Sequence, residues 1–77
     1  MTATLQDEAR WEAQYQTWET KRSVDDAVSR LQAAIGHFET AGQTEQAKAY
    51  LPVISGLTAQ SVALDGLCKR LDGEEQA

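Results

Sequence analysis

Apolar residues recur at heptad spacing on both sides of one glycine turn, and this pattern constrains the fold more than any other feature. Before Gly42 the spacing alternates between four and three residues through Val24, Val28, Leu31, Ile35 and Phe38. After Gly42 a similar alternation runs through Tyr50, Val53, Leu57, Gln60, Leu64, Leu67 and Leu71. This spacing places side chains on one face of a helix. The sequence therefore predicts an all-α fold, an antiparallel helical hairpin of about 24–40 against 45–72.

Two residues mark where the second half of the hairpin begins. Gly42 suits the left-handed backbone position that ends a helix, and Thr44 can cap the helix that follows. Pro52 lacks a backbone donor and crowds the preceding turn. We therefore expect a kink at Pro52, or a short turn at 45–50 with the main helix starting near the proline.

A further helical segment precedes the hairpin, at about 4–20. Trp11, Tyr15 and Trp18 are spaced four and three residues apart, so their rings share one helical face. Continuing this stripe by the same steps reaches Arg22 and Asp25, which are charged. We therefore expect an additional N-terminal helix, with a break or bend near 21–23; one long bent helix is the alternative.

The length of the chain limits how it can be stabilised. Its 77 residues predict one domain, 1–77, with 73–77 as a frayed acidic tail. Domains this small bury a thin core and usually need disulfides, a metal, oligomerisation or very regular helix packing. Cys68 is the only cysteine and His37 the only histidine, so an internal disulfide and a structural zinc site are excluded. We expect no metal and no cofactor, and assembly into a helical bundle.

Charge and hydropathy narrow the class of partner. The formal net charge is −5, and the seven Lys and Arg form no basic patch, so we expect no nucleic acid partner. Residues 1–10 contain no apolar run that would indicate a secretory signal. Hydrophobic runs fall short of the ~18–20 residues of a membrane span. The sequence therefore predicts a soluble, cytoplasmic protein with no membrane partner.

Catalytic motifs are absent from the sequence. It contains no GxGxxG, GxxxxGK[ST], CxxC or HExxH pattern. A chance set of Ser55, His37 and Asp65 could be assembled in any chain with one histidine. We interpret His37 as a surface residue near a helix C-terminus and Cys68 as a buried structural thiol. The chain is predicted not to be an enzyme.

The Trp11/Tyr15/Trp18 stripe allows two interpretations. The rings could pack on the hairpin and complete a three-helix core. They could instead form a recognition helix, because Trp and Tyr are frequent interface anchors and an amphipathic helix in a groove is a common recognition mode. The candidate partner-binding residues are Trp11, Tyr15, Trp18, Tyr50, Leu57, Leu64, Leu67 and Leu71. A strip of small residues also runs along the third segment, through Gly56, Ala59, Ala63 and Gly66.

The stretch 30–71 resembles two families. The tetratricopeptide helix-turn-helix unit is similar in the spacing of Leu31, Ala34, Phe38, Gly42, Ala47, Leu51 and Ile54. Small type III secretion needle co-chaperones look similar in having an N-terminal helical piece and a hairpin with a glycine turn. In those proteins a seam like that of residues 30–35 precedes the turn and a leucine-rich helix follows it. The second resemblance implies a ternary complex with a tetratricopeptide-like protein and a secreted needle subunit.

These observations predict a protein that binds another protein. The expected function is that of a small acidic helical chaperone or adaptor that binds its partner through hydrophobic helix faces, as a homodimer or in a hetero-complex. The alternative is a phage-encoded or regulatory inhibitor that caps a host protein surface as a helical dimer.

Overall fold

The computed structural model describes the backbone of residues 5–76 and the side chains of that range except those of 72 and 74–76. It contains three helices in chain order: α1, Leu5–Thr40; α2, Thr44–Ala49; and α3, Leu51–Gln76. No strand occurs within the described range. Helix α1 packs antiparallel against α2 and α3. The predicted all-α helical hairpin is therefore confirmed.

Helix α1 is continuous, so the break expected near 21–23 does not occur. The residues expected to form a separate N-terminal helix are the first turns of α1, as in the alternative of one long helix. An ion pair across one turn spans the expected break region, with Lys21 Nζ 2.8 Å from Asp25 Oδ2, and another follows it, with Arg30 Nε 2.9 Å from Asp26 Oδ2. Such i,i+4 pairs support a helix, and no Gly or Pro interrupts 5–35. The polarity of the side chains therefore changes near 21–23, but the backbone remains helical.

The turn closes as a Schellman motif around Gly42. Gly42 has φ 77°, the left-handed region that disfavours side chains with a Cβ. The Gln43 backbone N–H donates to the Phe38 carbonyl at 2.8 Å, and the Gly42 N–H donates to the Glu39 carbonyl at 3.0 Å. These bonds satisfy carbonyls that the end of α1 would otherwise leave without partners. The predicted role of Gly42 is confirmed, whereas Thr44 lies inside α2 and makes no side-chain cap.

The second half of the hairpin bends at Tyr50, between α2 and α3. Pro52 is the second residue of α3, where its missing donor removes no helical hydrogen bond. The expected short turn at 45–50 with the main helix starting near Pro52 is therefore the arrangement observed. Helix α3 runs past Gly73 to Gln76, through residues expected to form a frayed tail; Ala77 lies outside the described residues.

The contact seam between α1 and α3 differs in register from the one predicted. On α1 the predicted residues Val24, Val28, Leu31, Ile35 and Phe38 are all half-buried, and Ala27 and Ala34 beside them are half-buried as well. On α3 the half-buried row is Ile54, Leu57, Ser61, Leu64, Cys68 and Leu71. Val53, Gln60 and Leu67, which the sequence pattern placed in the seam, are exposed. The predicted row therefore contained Tyr50, Leu57, Leu64 and Leu71 of the true seam, together with Val53, Gln60 and Leu67 of the neighbouring row.

The molecule is a thin rod with almost no interior. It measures 62 × 17 × 13 Å, and its radius of gyration is 17.8 Å, compared with ~11–12 Å for a compact chain of this length. Ala47, in α2, is the one buried residue in the described part of the chain. The hairpin seam is closed at the turn by Phe38 and Tyr50, whose rings meet edge to face at 5.4 Å.

Candidate functional site

Three aromatic side chains form an exposed stripe on the first turns of α1. Trp11, Tyr15 and Trp18 are 61%, 45% and 51% exposed. The rings of Trp11 and Tyr15 stack with their centroids 5.6 Å apart and their planes 7° apart. The Arg22 guanidinium lies 5.6 Å from the centre of the Trp18 ring, within the range of a cation–π contact. The stripe is therefore ordered by contacts within its own helix.

The stripe does not complete a three-helix core, because α1 is one helix and no third layer exists in the described chain. Trp18 is the member of the stripe that shares a cleft with described residues of the other half of the hairpin. It lines a small cleft of about 60 Å³ at the open end together with Gln14, Cys68 and Leu71. A shallow groove of about 220 Å³ runs between the rings themselves. Of the two interpretations left open by the sequence, the packed core is wrong for this fold.

A polar layer separates the open end from the apolar half of the seam. Ser61 Oγ donates a hydrogen bond to Asp25 Oδ1, and Lys21 Nζ donates to Asp25 Oδ2 at 2.8 Å. Hydrogen bonds from Lys21 and Ser61 lower the pKa of Asp25 below its ordinary value. The hydrogen bond to Asp25 raises the pKa of Lys21, and the nearby charge of Asp65 acts in the same direction. Sequence reasoning missed this layer, although Lys21 and Ser61 continue the heptad spacing of their helices.

The remaining candidate partner-binding residues divide into two groups. Tyr50, Leu57, Leu64 and Leu71 are half-buried against α1 in the hairpin seam. Leu67 is 45% exposed and faces away from the seam. The structure therefore presents Trp11, Tyr15, Trp18 and Leu67 to solvent and uses the other four candidates to hold the hairpin together.

The residues of the chance catalytic set have ordinary surroundings. His37 and Ser55 are exposed, and Asp65 pairs with Lys69 at 3.0 Å on its own helix. Cys68 is a free thiol that is half-buried in the seam rather than fully buried. Within the described residues there is no group of three or more His, Cys, Asp or Glu that could hold a metal ion.

The second half of the hairpin is more apolar than the sequence analysis allowed. Residues 49–64 include no Asp, Glu, Lys or Arg. By length and composition alone the segment Thr44–Leu71 could cross a membrane, and no residue of its most apolar window is more than half-buried in the hairpin. The sequence analysis expected no run long enough for a span, whereas this segment meets that criterion by length and composition. A core helix of a soluble assembly has the same composition.

The comparisons with known proteins add no family to this geometry. The family models, the curated proteins and the solved structures gave no match to the chain. The features from which its function can be inferred are therefore the exposed aromatic stripe and the uncharged part of α3.

Proposed function

We propose that this protein is a non-enzymatic binding module that recognises another protein through the aromatic stripe of α1. The observation that carries the proposal is the exposure of Trp11, Tyr15 and Trp18 on one ordered face at the open end of the hairpin. Large aromatic side chains supply much of the binding energy at protein interfaces. Burial of such exposed rings against a partner is favourable.

The ordering of the rings supports recognition over chance exposure. Stacking of Trp11 on Tyr15 and the contact of Arg22 with Trp18 restrict the side chains before a partner arrives. A preorganised surface loses less conformational entropy on binding. The groove between the rings is of a size to accept apolar side chains from a partner helix, so we propose an amphipathic helix as the ligand.

The role we favour is that of a small chaperone or adaptor that shields an apolar helix of its partner. A co-chaperone of a secretion needle subunit is one form of this role. A cytoplasmic location is part of the proposal, and a single thiol, Cys68, is compatible with a reducing compartment.

A second candidate function is a regulatory inhibitor, including a phage-encoded one, that caps a host protein surface. The polar layer of Lys21, Asp25 and Ser61 favours this alternative, because it fixes the hairpin register without a partner. The two roles differ in the free state. A chaperone would gain helix on binding, whereas an inhibitor would already be fully helical.

The proposal can be tested by affinity capture from the source cells with matched variants. The wild-type chain is compared with Trp11→Ala/Tyr15→Ala/Trp18→Ala, after circular dichroism has shown equal helicity. Replacing such anchors typically costs ~2 kcal/mol or more each, so the specific partner should be lost. Val62→Ala removes an exposed apolar side chain on α3 and should retain the partner.

Two further measurements on the same samples decide the outcome. Iodide quenching of tryptophan emission should be strong in the free protein and suppressed in the purified complex. Retention of the partner by the triple variant, or quenching unchanged in the complex, would contradict the proposal. Far-ultraviolet circular dichroism of the free and bound chain then separates the chaperone from the inhibitor.

A further inference from the structure

We propose that the face of the hairpin opposite the aromatic stripe is a self-association surface, which pairs two copies into a four-helix bundle. Its central row on α3 is Val53, Gln60 and Leu67, spaced by seven residues and exposed in the single chain. Gly56 and Ala63 lie beside this row and are also exposed. We call this set the α3 outer row.

The two faces of the hairpin can be told apart by their charge. Asp25 and Asp65 each directly follow a seam residue, Val24 or Leu64, and both act on the ammonium of Lys21. The residues that follow the seam therefore share one face, which is charged. Trp11 and Trp18 continue the heptad position of Asp25 on α1, so they belong to this face.

The opposite face carries the residues that precede seam positions. On α3 these are the outer-row residues Val53, Gln60 and Leu67. On α1 the equivalent heptad positions are Ala13, Thr20, Ala27 and Ala34, of which Ala27 and Ala34 are half-buried. In an antiparallel pair, equivalent flanking positions lie side by side. These positions are uncharged on both helices and mostly small, whereas Arg30 and Arg70, which also precede seam residues, place two basic side chains and no carboxylate on the same face.

The accessible surface area of the chain indicates how much surface a second molecule could bury. The accessible surface is 6005 Å², whereas a compact monomer of this mass exposes ~4,700 Å². The excess exceeds the ~800 Å² per partner that a stable interface of standard size buries. Residues 49–64 carry no charged side chain, and α1 covers them on one side only. The excess surface is thus large enough for one interface of standard size.

The net charge of the chain favours a second copy of the protein as the molecule that binds the α3 outer row. Each chain carries a formal charge of −5, so two copies repel one another wherever carboxylates meet. The outer row is the surface where they can meet without that repulsion, and the two-fold symmetry of a dimer would set each outer row against its equivalent. Small residues at Gly56 and Ala63 allow the helices to approach closely.

A lipid bilayer is a poorer occupant of the same surface. Helix α1 packs along α3 and brings Lys21, Asp25 and Asp26 with it. Charged side chains are costly inside a membrane, so α3 would have to leave α1 before it could insert. Gln60 and Ser61 are further polar groups near the middle of the segment.

The test is sedimentation equilibrium of the full chain across a dilution series, with charge placed on each face in turn. Gln60→Glu and Leu67→Glu put a carboxylate on the outer row, and both sites are exposed in the single chain. Val62→Glu is the matched control, because Val62 is 68% exposed on the side of α3 that carries Asp65. The wild type and Val62→Glu should be dimers. The outer-row variants should dissociate with a Kd raised roughly tenfold or more, as expected for like charges brought together.

A cross-linking measurement guards against a variant that fails to fold. In a Cys68→Ser background, Gln60→Cys should form an intermolecular disulfide under mild oxidation, and Val62→Cys should not. A monomeric wild type that is fully helical would overturn the proposal. So would dissociation by Val62→Glu alone, or co-sedimentation of the wild type with neutral phosphatidylcholine vesicles. None of these outcomes bears on capture of a partner by the aromatic stripe, so the two proposals fail separately.

Discussion

Ser61 on α3 donates a hydrogen bond to the carboxylate of Asp25 on α1, and this bond joins the two halves of the hairpin near their middle. The same carboxylate accepts from Lys21 one turn earlier on α1. Polar groups at a seam position fix the register of paired helices, because any slip leaves them without partners. The layer therefore explains how a seam of partly exposed aliphatic residues can hold one alignment.

The first prediction concerns this bond. Ser61→Ala removes the donor and should lower the free energy of unfolding by about 1 kcal/mol, the usual contribution of one hydrogen bond. Thermal unfolding followed by circular dichroism measures the change. Ser55→Ala is the control, because Ser55 is exposed on the same helix and should leave the midpoint unchanged. An equal loss in both variants would show that the layer has no role.

The second prediction is a dependence of stability on acid. The pKa of Asp25 is lowered from 3.8 by the hydrogen bonds from Lys21 and Ser61. A lowered folded-state pKa contributes stability that is complete above the ordinary value and is lost as the pH falls through the lowered one. The stability difference between wild type and Asp25→Asn should therefore shrink below pH ~4, the ordinary range of Asp. Chemical denaturation of both chains at several pH values tests this, and a constant difference would contradict it.

The third prediction tests the register of the seam. Ile54 is half-buried against α1, whereas Val62 is exposed on the same helix. Ile54→Ala should lower the free energy of unfolding by roughly 1–2 kcal/mol, less than for a fully buried site. Val62→Ala should change it by less than about 0.5 kcal/mol. Urea denaturation of each variant gives these values, and a larger effect at Val62 would place the seam elsewhere.

The fourth prediction separates the glycines by their backbone conformation. Gly66 lies inside α3, and a Cβ added there would meet nothing within 4 Å, so Gly66→Ala should stabilise the chain by about 0.8–1 kcal/mol. Gly42 has φ 77°, so Gly42→Ala should destabilise it by roughly 1 kcal/mol through backbone strain. Thermal unfolding of both variants checks the opposite signs. Destabilisation by Gly66→Ala would indicate a close contact at the small strip.

Much of the fold could be predicted from the sequence because the signals were local. Gly42 marks the turn through its own backbone preference, and Pro52 marks the start of α3 through its missing donor. Both act within a few residues, so no knowledge of the partner helix is needed. The α1 seam was also predicted correctly, since Val24 to Phe38 offer only one apolar row.

The part of the fold that could not be predicted is which of two rows on α3 faces α1. On α3 the rows of Ile54 and Val53 are both uncharged, and spacing alone does not distinguish them. In the structure Asp25, which also accepts from Lys21, accepts a hydrogen bond from Ser61, and Ser61 rather than Gln60 lies in the seam. That contact joins residues 36 apart in sequence, beyond the reach of a periodicity argument. The aromatic stripe is exposed because α1 is one continuous helix. The charged residues that follow the stripe had instead indicated a break.

The single connection between the halves of the hairpin has a consequence for how binding and folding are linked. Contacts near Gly42 join residues close in sequence, whereas Trp18 and Leu71, which line one cleft at the open end, can be brought together only by closing a much longer loop, which has less entropic support. Opening should therefore begin at the end that carries the aromatic stripe. A partner that holds Trp18 to α3 would suppress this fraying and raise the stability of the whole chain as its concentration rises. Occupancy of one end of the rod would then be reported by slower hydrogen exchange far along both helices.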